Sequence, residues 1–116
     1  MDGDELVEVL AVLANPHRLR VLAALVEQSD YVSRLARTLG ISRPLLQMHL
    51  RRLEAAGLVS AHMELSEDGK AMNFYRVQDF SLELTPQTIR HLAASLSPPA
   101  DVEKKPPRLS RKDADT

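Results

Sequence analysis

The sequence predicts a mainly α-helical domain with a small β-hairpin, an α+β fold in the order α-α-α-α-β-β-α. Three observations carry this. Apolar residues recur at helical spacing in four stretches before Gly57, alternate with polar ones over 59–65, and return to helical spacing after Thr85-Pro86.

Each element has its own justification. Leu6, Val9, Leu10 and Leu13 lie at i, i+3, i+4, i+7, one face of a first helix. The acids Asp2, Asp4, Glu5 and Glu8 suit the positive end of its dipole. Asn15 then offers an N-cap and Pro16 a first helical position. The second helix runs through Leu19, Leu22, Ala23 and Val26 and fades near Gln28-Ser29. A third, about Tyr31 to Leu39, places Val32, Leu35, Ala36 and Leu39 on one face, and Gly40 ends it. Ser42 caps the fourth, with Pro44 just inside, Leu46, Leu50 and Leu53 inward, and a stop at Gly57. Two helices joined by so short a glycine-containing turn form a helix-turn-helix.

Beyond Gly57, Val59, Ala61, Met63 and Leu65 alternate with Ser60, His62 and Glu64, the pattern of a half-buried strand. Ser66-Glu67-Asp68-Gly69 is a turn, and 71–78, with Phe74, Tyr75 and Val77, supplies the return strand. A hairpin directly after a helix-turn-helix makes a winged helix-turn-helix. Thr85-Pro86 opens the last helix, with Ile89, Leu92, Ala93 and Leu96 on one face. Residues 1–96 thus form one folded domain, and the Pro-, Lys- and Asp-rich stretch 97–116 reads as a disordered tail.

Composition narrows the function. A chain of 116 residues, 44% hydrophobic and 27% charged, fits one globular domain with a core of Leu, Val, Ile and Ala. No apolar run approaches the roughly 20 residues of a membrane span, and the acidic start is unlike a signal peptide, so a cytoplasmic protein is expected. The absence of cysteine excludes thiolate metal sites and a cysteine nucleophile. Gly3, Gly40, Gly57 and Gly69 are isolated, so there is no phosphate loop, and no spacing suggests a nucleophile elbow. An enzyme is not expected. The net charge of −1 conceals a basic middle: residues 15–57 hold seven arginines against three acids, whereas residues 1–14 hold four acids and no base.

The stretches LANPHRLRVLAAL (13–25), VSRLARTLGISRPLLQMHLRRLEAAGLV (32–59) and GKAMNFYRV (69–77) together resemble the ArsR/SmtB family of transcriptional regulators, over about residues 5–96. The resemblance implies sequence-specific binding of double-stranded DNA by a homodimer. The helix from Ser42 would enter the major groove, with Arg43, Leu45, Gln47, Met48 and His49 outward. Arg43 can bond guanine and Gln47 adenine in bidentate fashion. Arg34, Arg37, Arg51 and Arg52, with Lys70 on the wing, suit phosphates. An isolated run of arginines is ordinarily a solvated face; the helix-turn-helix around these argues for DNA. Leu45 and Met48 stand where the family usually has small or polar residues. Glu67 and Asp68 at the wing tip oppose phosphate, so the chain could need an effector or a second regulatory protein. The alternative function is a winged-helix protein–protein interaction module.

The first and last helices present more apolar surface than one chain can cover, and in the family the corresponding helices form the dimer interface. Packing wholly inside one chain is the alternative. Family members often sense metals. Asp79 falls where one family site has a strand-end Asp, and His91 near its last-helix His, one residue out of register. Ser81 and Ala94 or Ser95 stand at its other ligand positions. An all N/O set of His62, Asp79, Glu83 and His91, shared between subunits, would suit nickel or zinc. His17 and His49 fit structural or DNA roles instead.

Overall fold

The computed structural model describes residues 1–98. Five helices carry a three-stranded antiparallel sheet: α1 (Gly3–Leu13), α2 (Pro16–Glu27), β1 (Asp30–Tyr31), α3 (Val32–Leu39), α4 (Arg43–Ala55), β2 (Val59–Leu65), β3 (Ala71–Val77) and α5 (Pro86–Ala93). This is the winged helix-turn-helix that the sequence predicts.

Local chemistry sets the boundaries. Asp2 and Glu5 form a capping box at α1, each side chain accepting the other's backbone N–H at 2.8 Å. Asn15 Oδ1 accepts from the amides of His17 and Arg18, which starts α2 nearly at right angles (91°) to α1. Gly40 closes α3 in the left-handed region (φ 70°), where a Cβ is penalised, and two residues later Ser42 caps α4. Thr85 and Thr88 cap α5 reciprocally.

Val21, Leu25, Leu35, Leu46, Leu50 and Leu53 are fully buried, so α2, α3 and α4 enclose the core. Val9 of α1, Val59 of β2 and Tyr75 of β3 close it. Each such leucine removed from water contributes about 1.5–3 kcal/mol.

Three expectations are corrected. The hairpin is a three-stranded sheet in the order β1-β3-β2, because Asp30 and Tyr31 pair with Tyr75 and Phe74. The buried stripe of α2 is Arg18, Val21, Leu22 and Leu25, whereas Leu19 and Val26 are 53% and 67% exposed. The wing strand is buried only at its base: Val59 is inside, but Met63 and Leu65, further out along the hairpin, are exposed. The tail expected at 97–116 falls, from residue 99 onward, outside the described residues. Ser97 itself is fastened, its backbone N–H and hydroxyl both donating to the Asp4 carboxylate, which lowers the pKa of that carboxyl.

Helices α1 and α5 cross closely at Gly3, where an added Cβ would lie 2.3 Å from the Leu92 carbonyl oxygen. Beside the crossing, Gly3, Leu6, Val7, Leu10, Ile89, Leu92, Ala93 and Leu96 line an apolar hollow of about 220 Å³. Among the described residues, no single helix is long and apolar enough to cross a membrane.

Candidate nucleic-acid interface

Helix α4 has two distinct faces. Leu46, Leu50 and Leu53 lock one face into the core, and this fixes the direction of the other. Ser42, Arg43, Met48, Arg51 and Arg52 are exposed there, with Leu45 and Gln47 half-buried beside them. Arg34 and Arg37 of α3 are exposed as well. Arg34 is partly engaged with Asp30, at 3.4 Å.

His49 is a correction. Expected among the outward residues, it is buried, 2% exposed. It lies three residues after Leu46 and four before Leu53, so helical spacing assigns it to the inward face; its polar character concealed that. Arg18 of α2, also buried, donates from Nε to His49 Nδ1 at 3.2 Å and from a terminal guanidinium nitrogen to the Val12 carbonyl at 3.2 Å. The rings of His17 and His49 stack with centroids 5.4 Å apart. Burial first, then the positive charge of Arg18, lowers the His49 pKa.

Ser33 and Asn73 were not legible as site residues. With Arg43 and Gln47 they line a polar hollow of about 150 Å³ where α3, α4 and β3 meet. No motif marks them, since β3 reaches α3 only through the folded sheet. At the wing tip Lys70 is exposed beside Glu67 and Asp68. A hydrogen bond from the Ser66 hydroxyl lowers the pKa of the Asp68 carboxyl, so the tip keeps its negative charge.

The four residues considered as metal ligands are not brought together in one chain. His62 sits in the middle of β2 with Nε2 2.7 Å from Glu64, whose carboxylate also accepts from the Tyr31 hydroxyl at 3.0 Å. These two contacts lower the Glu64 pKa, and the Glu64 carboxylate raises that of Tyr31. Asp79 borders a hollow with Val26 and Phe80, while Glu83 and His91 border another, beside Met1 and Leu6. Among the described residues, no group of three or more His, Asp or Glu is placed to hold a metal ion. The donor set does not fit a nickel or zinc site within one protomer.

Comparison with known proteins agrees with this geometry. Residues 15–61 match the family model described as bacterial regulatory protein, arsR family. An uncharacterized HTH-type transcriptional regulator of Methanocaldococcus jannaschii is 33% identical over 88 residues, 76% of this chain and 92% of the relative. The nodulation protein NolR of Rhizobium meliloti is 40% identical over 55 residues, 47% of this chain and 45% of NolR. Among solved structures, the homodimeric winged helix-turn-helix DNA-binding domain of a possible ArsR-family regulator from Mycobacterium bovis superposes with a TM-score of 0.59 at 25% identity, covering 78% of this chain and 73% of that one. NolR from Sinorhizobium fredii gives 0.57 at 27% identity, covering 78% and 80%.

Proposed function

The chain belongs to the ArsR family of transcriptional regulators, and from that premise we propose that it reads operator DNA as a homodimer, with α4 in the major groove. The observation that carries the reading is the division of α4: a leucine face held rigidly in the core, and an opposite face bearing Arg43, Gln47, Arg51 and Arg52. Arg43 and Gln47 have the donor geometry for base edges, and Arg34, Arg37, Arg51 and Arg52 that for phosphates. Ser33 and Asn73 line the same hollow as Arg43 and Gln47 and so flank the two proposed base-reading side chains. The apolar surface of α1 and α5 is the proposed dimer interface, as the homodimeric M. bovis domain also suggests. A regulator of this kind works in the cytoplasm, where the chromosome is.

Titration of the protein against DNA from upstream of its own gene tests this. Sequence-dependent binding is expected, with log K falling linearly as log salt rises. Arg43→Ala should cost about 1–3 kcal/mol and relax specificity at one base pair, whereas Arg51→Ala should weaken binding to all sequences alike. Absence of binding even at low salt would overturn the reading.

The wing favours a second reading. Exposed Met63 and Leu65 below an acidic tip are a poorer match to phosphate than to a protein, as expected of an interaction module or of a regulator with a second protein partner. A response to nickel or zinc would require ligands from two protomers. Calorimetry of metal-free protein checks it, and no binding of nickel or zinc tighter than tens of micromolar would end that proposal.

A further inference from the structure

Beneath the recognition helix lies a contact that neither base nor phosphate recognition uses. Arg18 binds two things at once: the Val12 carbonyl in the last turn of α1 and the His49 ring on α4. One side chain therefore connects the proposed dimerisation helix to the proposed recognition helix. The contact also sets the ring's tautomer. Nδ1 accepts from Arg18, so the neutral ring carries its proton on Nε2, which is buried without a hydrogen-bond partner.

The charged and titratable groups facing the ring are His17 and Arg18 of α2 and Arg52 of its own helix, with no carboxylate among them. A proton added at Nδ1 would turn the acceptor into a donor aimed at another donor. It would also place a second cation beside a buried guanidinium.

We propose that His49 is a pH-sensitive positioning residue: its protonation breaks the Arg18 link, frees α4 from α1 and weakens DNA binding while the chain stays folded. This rests on the DNA-binding reading, and the test separates the two. Affinity of the full-length protein for a labelled duplex from upstream of its own gene is measured from about pH 7.5 to 5, beside His49→Gln, whose amide oxygen can still accept but does not titrate. Wild-type affinity should fall roughly tenfold with a midpoint below about 6.5, the ordinary histidine value, and the variant should stay nearly flat. Circular dichroism should show folded protein throughout. The same wild-type profile in the variant, or unfolding that tracks the loss, would overturn the proposal.

A second arm needs no DNA. Backbone amide resonances of Val12 and Leu13 in α1 and of Met48 to Leu50 in α4 should shift with one common midpoint in the wild type. If the α1 amides do not follow those of α4, the link is refuted, even should His49→Gln fail to fold. A common midpoint without DNA binding at any pH would overturn the DNA reading and support the link.

Discussion

Arg18 shows what a cation requires in order to sit in a core. Its guanidinium is buried against α1 and α4 because two acceptors meet it there, the Val12 carbonyl and His49 Nδ1. Removing the donor leaves both acceptors desolvated, at about 1–3 kcal/mol each. Arg18→Ala should therefore destabilise the fold by about 2–4 kcal/mol in urea denaturation. The pair Arg18→Met with His49→Leu should cost less than the sum of the single changes, because it leaves no orphan. The same contact fixes the sign of the pH dependence. His49 binds its proton less readily folded than unfolded, since burial and Arg18 lower its pKa. Between the two pKa values the unfolded chain holds more protons, so stability rises as pH rises there. His49 contributes its full stability above about pH 6.5 and loses it progressively on acidification towards the lowered value. Urea midpoints across that range should fall in the wild type and barely move in His49→Gln.

Gly3 sets the distance between two helices. A methyl group there would meet the Leu92 carbonyl and the Leu96 side chain, and the obstacle nearest to it is backbone that cannot rotate away. Gly3→Ala should wedge α1 from α5, cost about 1–3 kcal/mol and weaken self-association in sedimentation equilibrium. The wing offers a complementary test. If its tip approaches phosphate, Glu67→Lys with Asp68→Lys should tighten DNA binding and steepen the salt dependence by about 0.9 per new phosphate contact; unchanged affinity would place the tip away from DNA. At this scale much was legible in the sequence. Asn15, Ser42 and Thr85 announce helix starts because capping is local chemistry. The face each helix buries was less legible. Helix α2 carries apolar residues on two stripes, and the buried one includes Arg18, which hydropathy places outside. His49 was misplaced for the same reason. Met63 and Leu65 followed the alternation of a buried strand, but among the described residues no element covers the outer wing, and both stay exposed. The pairing of Asp30 and Tyr31 with β3 had no local signal, because a two-residue strand is defined only by its partner.

For the molecule as a whole, the net charge of −1 is a poor guide to the surface offered to DNA. The acids Asp2, Asp4, Glu5 and Glu8 cap or lie on α1, and those of the wing at its tip, while seven arginines fall within residues 15–57. Steering by local potential depends on that distribution and not on the total. The apolar surface is divided in a comparable way. Val7 and Ile89 are 55% and 51% exposed beside a hollow with an apolar lining, a poor arrangement for a lone monomer and a reasonable one for half of a two-fold interface. Thermal stability should rise with protein concentration, as it does whenever association is linked to folding. Val7→Glu, an exposed position whose change removes little from the protomer core, should yield a folded monomer with unchanged helix content. If two copies of α4 grip half-sites one helical turn apart, roughly 34–36 Å, that monomer keeps one half of the phosphate contacts. Its salt slope should then be about half that of the dimer, and its affinity for a single half-site nearly unaltered. A Val7→Glu protein that still sediments as a dimer would move the interface elsewhere, and the exposed Leu19 and Val26 of α2 would be the next surface to substitute.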